Sequence, residues 1–210
     1  SRRRGTNIKK HSFFRALRST YFYTVFLEVL MKTIPYMGSK RKLLPFLKDS
    51  MLDYLGDTEI HSFFDAFAGS GRVAHHFRNR YKIVANDRQS YTKVILEAYL
   101  QNTQNLQLFE YLIDGLNALP DSYHSLTDGW YANTYGAPEN NGCSIGADGN
   151  PKPWVDYNAR KIDCIRHQID EMYPDDCVEK SVLLLSLMIG VSRISNWMGH
   201  QTGYFKDWKK

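Results

Sequence analysis

Apolar residues first recur at helical spacing in RKLLPFLKDSMLDYLG, at Leu43, Leu44, Leu47, Met51, Leu52 and Leu55. This spacing predicts a helix. Pro45 lies near its start, where a missing N–H costs least, and Gly56 is a natural stop. TIPYMGSK precedes it as a short extended segment running into a turn. EIHSFFDAF then reads as a strand that ends at Asp65–Phe67. A glycine turn follows, then a helix over 72–80, a second strand in YKIVAND (Tyr81 to Asp87) and a second helix in SYTKVILEAYLQN. Strand, turn, helix, strand and helix form a βαβ order, which predicts a parallel sheet with a right-handed crossover.

After Asn102 the alternation stops. LFEYLIDGLNAL reads as a helix. The segment from Thr127 to Tyr157 is rich in Gly, Asn, Pro and aromatics, including Trp130, Tyr131, Tyr135 and Trp154. It reads as one long loop, either a functional lid or binding loop or a mobile segment. Asn158 is the expected cap of the helix ARKIDCIRHQIDEM, whose Ile162, Ile165, Ile169 and Met172 share a face. VEKSVLLLSLMIGVSRISNW reads as a buried helix, and Glu179, Lys180 and Arg193 argue against a membrane span. The organisation expected is a basic extension over 1–30, an α/β region over 31–102 and a helical region over 103–210 that carries the long loop.

A length of 210 residues suggests one domain or slightly more, and 43% hydrophobic residues suffice for a packed core. Cys143, Cys164 and Cys177 form no C-x-x-C pair. Their odd number argues for a reducing, cytoplasmic setting. The net charge of +5 is uneven: residues 1–30 carry seven Arg and Lys against Glu28, so 7 − 1 = +6. The remaining residues therefore sum to 5 − 6 = −1, and any polyanion site there must be a local patch. The first thirty residues lack a signal peptide's cleavage site, and Glu28 interrupts their apolar run. An added helix, or an extension ahead of a natural start at Met31, accounts for them.

The chemistry concentrates in FFDAFAGSGRVAHHF. Gly69, Gly71 and Ala74 fit G-x-G-x-x-G/A, and Asp87 closes the second strand 18 residues after Gly69. That pattern can place a dinucleotide pyrophosphate on backbone amides and ribose hydroxyls on the acid. The same small residues also serve plain packing. Asp65 shifts the balance, because a carboxylate four residues before Gly69 repels a pyrophosphate where water is scarce. It suits a cofactor that is cationic at that point. S-adenosylmethionine is one: its α-ammonium can meet Asp65, and its ribose hydroxyls Asp87.

PYMGSKRKLL, FFDAFAGSGRV and IVAND, in this order, resemble the first motifs of the Dam-like, D12 class of adenine-N6 DNA methyltransferases. Tyr36, Gly38, Ser39 and Lys40 match the aromatic-x-Gly-x-Lys segment. Asp65, Phe67, Ala68, Gly69, Ser70 and Gly71 match the D-x-F-x-G-x-G loop, and Asn86 and Asp87 match the Asn-Asp at the second strand's end. The helical stretch over 155–208 is similar as well. The resemblance implies a Rossmann-like class I methyltransferase sheet, incomplete here, with a helical insert. It implies S-adenosylmethionine as cofactor, with Tyr36 packed on it, Lys40 meeting its carboxylate and Asp87 on its ribose. It implies double-stranded DNA as substrate, no membrane association, and a restriction-modification setting with a cognate endonuclease.

One departure is plain. The family's catalytic motif is Asp/Asn-Pro-Pro-Tyr/Phe, whose oxygens accept hydrogen bonds from the adenine amine. The prolines here stand at 35, 45, 120, 138, 151, 153 and 174, and no two are adjacent. Asn150-Pro-Lys-Pro-Trp154 imitates the motif, but its inserted lysine and its place in a loop make it a turn signal. The chain thus reads as the N-terminal portion of such an enzyme, inactive as it stands, with no catalytic residue assigned. A non-catalytic nucleic-acid-binding relative and an NAD-dependent enzyme are the alternatives. No metal site is expected, because His75 and His76 diverge by about 100° on a helix. Arg160, Lys161, Arg166 and His167 form either a phosphate-binding patch or a solvated helix face.

Overall fold

The computed structural model describes residues 39–101, 106–120, 129–137, 144–146 and 148–196. Tyr36 and Gly38 lie outside the described residues. The chain divides into two compact units. The first holds residues 39–101 and Tyr173–Ile189; the second holds the described residues from Gln107 to Met172 and those from Gly190 onward.

In the first unit a 3-10 turn, Lys40–Leu43, leads into α1, Leu44–Leu55. Pro45 sits in the first turn of α1, as its missing N–H requires, and Gly56 ends it at φ 53° with its N–H on the Leu52 carbonyl. The strands β1 (Ser62–Asp65) and β2 (Lys82–Ala85) pair in parallel, Phe63 beside Ile83 and Asp65 beside Ala85. Between them lies α2, Arg72–Phe77, which ends three residues earlier than its sequence suggests. Phe77 closes it by turning inward, buried against Phe63 at 4.9 Å between ring centres.

Helix α3, Ser90–Leu100, buries Thr92, Ile95, Leu96, Ala98 and Tyr99. Tyr173–Ile189 belongs to the same unit, and Ser181 donates to Glu97 at 2.7 Å while Lys93 meets Asp176 at 2.9 Å. The mixed helix and strand architecture with parallel pairing follows the βαβ order of the sequence. Among the described residues, each sheet has two strands.

The second unit holds α4 (Leu106–Asn117, from Gln107 on), α5 (Trp130–Tyr135), β3 (Gly136–Ala137), β4 (Trp154–Val155) and α6 (Asp156–Met172). Helix α7, Val178–Ile194, spans the division between the units. The expectation of one long loop over 127–157 is corrected here. Its described part contains α5 and a parallel β3–β4 pair, and Trp154 is buried with Ala132, Ala159 and Ile162. Tyr131 stacks 5.0 Å from Trp154. The Asp163 carboxylate of α6 accepts the N–H groups of Tyr131 and Ala132 at 3.0 and 2.8 Å, which caps α5 from across the fold. Only glycine fits at 129, since a Cβ there would lie 2.6 Å from that carboxylate. Lys152, the lysine inside Asn-Pro-Lys-Pro, is a fastener. Its ammonium meets Asp148 at 2.8 Å and the Thr134 carbonyl at 3.0 Å.

One further expectation changes. Asn158 does not cap α6, because the helix already begins at Asp156. The four basic residues of α6 each have a partner within the protein. Arg160 pairs with Asp156, Arg166 with Asp170 and His167 with Glu171, each one helical turn away. Lys161 is buried, and its ammonium donates to the carbonyls of Asn117 and Leu119 at 3.0 and 2.9 Å. It thereby satisfies the open carbonyl of Asn117 at the end of α4 and that of Leu119 just beyond it. Lys161→Met keeps the stem but removes the donor. We expect it to destabilise the protein by about 1–3 kcal/mol, the cost of a buried acceptor left unsatisfied, as read by urea unfolding.

Candidate functional site

Parallel pairing places the C-terminal ends of β1 and β2 at the same edge, where ligands sit in open α/β sheets. The loop from Asp65 to Gly71 and the pair Asn86-Asp87 therefore meet. Main-chain bonds lock them: the N–H of Asn86 donates to the Asp65 carbonyl at 2.8 Å, and the N–H of Ala68 to the Asn86 carbonyl at 2.9 Å. The Asn86 side-chain amide donates to the Ala66 carbonyl at 3.2 Å. Asp87 completes the clasp. One of its oxygens accepts the N–H of Gly69 at 2.8 Å, and the other accepts the N–H of Gln89 at 3.0 Å.

Gly69 and Gly71 adopt φ of 51° and 71°. This left-handed backbone disfavours side chains, and a Cβ on Gly71 would also press on Leu96 at 3.0 Å. The second glycine thus serves both the turn and close packing on α3. Ser70 stands between them, half-buried, while Ala68 is buried. Phe67 projects outward with 80% of its surface exposed.

The electrostatics separate the two acids. Burial pushes the Asp65 carboxyl above its ordinary range, opposed by the Ala74 amide, the charge of Lys40 and the Phe67 amide. Its Oδ2 is buried and has no hydrogen-bond partner among the described residues. Asp87 is held below its ordinary range, first by the Gln89 amide and then by that of Gly69. The positive charge of Lys40, which follows Ser39 at the start of the 3-10 turn, reaches both carboxylates. A cleft of about 540 Å³ opens beside β2 and α3, with Asn86 and Asp87 in its wall together with Ile83, Ala85 and Leu96.

This donor set discriminates between anions and cations. The Gly69 amide is already engaged by Asp87, so it is a poor cradle for a pyrophosphate. A half-buried carboxylate with one oxygen unpartnered is complementary to an ammonium. The described residues of the predicted set, Ser39, Lys40, Asp65 to Gly71, Asn86 and Asp87, lie in one unit. The motifs do not single out Arg41 and Arg72, which stand in the KRK run at residues 40–42 and directly after the glycine loop.

A model of the D12 class N6 adenine-specific DNA methyltransferases matches residues 36–210, and the chain belongs to that family. Similar characterised proteins are modification methylases. Modification methylase LlaI of Lactococcus lactis subsp. lactis is 28% identical over 182 residues, covering 83% of this chain and 27% of the relative. Modification methylase StsI of Streptococcus sanguinis is 30% identical over 185 residues, covering 83% and 26%. Type II methyltransferase M.NlaIII of Neisseria lactamica is 27% identical over 180 residues, covering 83% and 50%. The match thus spans about a quarter of the first two relatives and half of the third. No solved structure matches the chain.

Proposed function

We propose that this chain is the S-adenosylmethionine-binding portion of a site-specific DNA methyltransferase that methylates adenine N6 in double-stranded DNA. The observation that carries the reading is the Asp65 carboxylate at the end of β1, half-buried, whose Oδ2 has no partner among the described residues. Family membership and the modification methylases among its relatives support it. Asp65 receives the α-ammonium of the cofactor, Lys40 its carboxylate, and Asp87 the ribose hydroxyls. Tyr36 and Phe67 pack on it. Gly38, Ser39, Ala68, Gly69, Ser70, Gly71 and Asn86 shape the backbone around it. When bound, S-adenosylmethionine supplies a methyl group activated on a sulfonium.

In this reading β1 and β2 are part of a Rossmann-like class I sheet with a helical insert. Residues 31–102 form the cofactor region, 103–210 a helical region that contributes to DNA recognition, and 1–30 a basic extension. The setting is a cytoplasmic restriction-modification system. Among the described residues no helix is long and apolar enough to cross a membrane. Titration calorimetry of the whole chain with S-adenosylmethionine and, separately, NAD tests the proposal. Binding of S-adenosylmethionine without NAD is expected, and binding of NAD alone overturns it.

A further inference from the structure

The 3-10 turn Lys40–Leu43 packs against α2, whose first residue is Arg72. Lys40, Arg41 and Lys42 are exposed, and Arg72 is half-buried. Lys40 has nearby carboxylates in Asp65 and Asp87. Arg41 and Arg72 do not: among the described residues no carboxylate pairs with either guanidinium. Arg72 instead feels the like charge of Arg41. Burial and the charge of Arg41 pull the Arg72 guanidinium below its ordinary range, against an opposing effect of Tyr99. Two guanidiniums on packed elements, with no carboxylate partner among the described residues, are repulsive by themselves and favourable around an anion. Guanidinium forks match phosphate geometry.

We infer that Arg41 and Arg72, with Lys42 beside them, form a phosphate-binding site at the mouth of the glycine loop that takes a backbone phosphodiester of the DNA substrate. The inference rests on the DNA-methyltransferase reading and deepens it. Beyond residue 30 the chain sums to −1, so a polyanion must be met by a local patch such as this one. A phosphate clamp there fixes the duplex relative to the cofactor loop and carries no sequence preference.

The test uses the whole chain, a short DNA duplex at several salt concentrations, and the variants Arg41→Gln and Arg72→Gln. Each variant should bind unrelated duplexes more weakly by the same factor. The slope of log K against log salt should fall by about one unit per lost phosphate contact. The double variant should lose no more than one such unit if both guanidiniums hold one phosphate. S-adenosylmethionine affinity, measured by calorimetry, should stay as in the parent. Arg72→Lys should restore part of the slope. Should Arg72→Gln fail to fold, the exposed Arg41→Gln carries the test. An unchanged slope overturns the inference, and so does a loss of S-adenosylmethionine affinity at unchanged slope, which assigns the pair to the cofactor's carboxylate. Absence of parent DNA binding overturns it too. Retained S-adenosylmethionine binding then separates that outcome from failure of the cofactor reading.

Discussion

Asp65→Asn is expected to weaken S-adenosylmethionine binding tenfold or more while leaving the melting temperature unchanged or raised. A hydrogen bond to an ionised group contributes about 1.5–3 kcal/mol, which corresponds to roughly ten- to a hundredfold in affinity. Asparagine keeps the shape of the side chain. It removes the charge proposed to meet the ammonium. In the free protein that charge is a burden, because it is half-buried and its Oδ2 has no partner among the described residues. Affinity and stability should therefore move apart. Calorimetry and thermal melting on the same preparation read both. Unchanged affinity, or a parallel fall of both quantities, would remove Asp65 from the proposed role.

The two acids also predict opposite pH dependences. The folded pKa of Asp65 lies above its unperturbed 3.8. Its contribution to stability is fully present below 3.8 and is lost as pH rises through the raised value. Asp87 is lowered, so its contribution is present above 3.8 and lost as pH falls through the lowered value. A cationic cofactor on Asp65 favours the ionised form. Binding should weaken as pH drops toward the raised pKa, and it should release protons there.

Much of the candidate site was legible because parallel pairing is a simple geometric rule. Once β1 and β2 are read from their apolar runs, Asp65, Gly69, Gly71 and Asp87 must gather at one edge. The clasp role of Asn86 and Asp87 was not legible, since it consists of bonds to main-chain groups of the facing loop. The segment over 127–157 was misread for a related reason. Its glycines and prolines signal turns locally, but Trp154, Lys152 and Asp163 find their partners far away in sequence. The ion pairs of α6 are legible from spacing alone. Asp156, Asp170 and Glu171 stand one turn from Arg160, Arg166 and His167, the spacing of helical ion pairs. Lys161 differs in that its long stem allows a charged head to be buried against carbonyls, which no spacing rule announces.

Asp87→Ala should produce the broader loss, because this carboxylate holds the loop together and lines the cleft beside β2. Removing it frees the amides of Gly69 and Gln89 together. The site is open to solvent, so water replaces part of each bond, and a stability loss of about 1 kcal/mol is expected. The effect on S-adenosylmethionine should be larger, tenfold or more, since both the ribose contact and the shape of the Gly69–Gly71 turn are lost. Asp87→Asn separates the two contributions. Its carbonyl oxygen can still accept the Gly69 amide, but its NH2 group faces the Gln89 amide as a second donor, and the charge is gone. A structural clasp alone predicts that Asn recovers most of the affinity lost with Ala. A direct contact with ribose hydroxyls predicts that affinity stays low while the melting temperature recovers. Full affinity in Asp87→Ala would show that neither role bears on the cofactor, and the cleft beside β2 would then need another ligand.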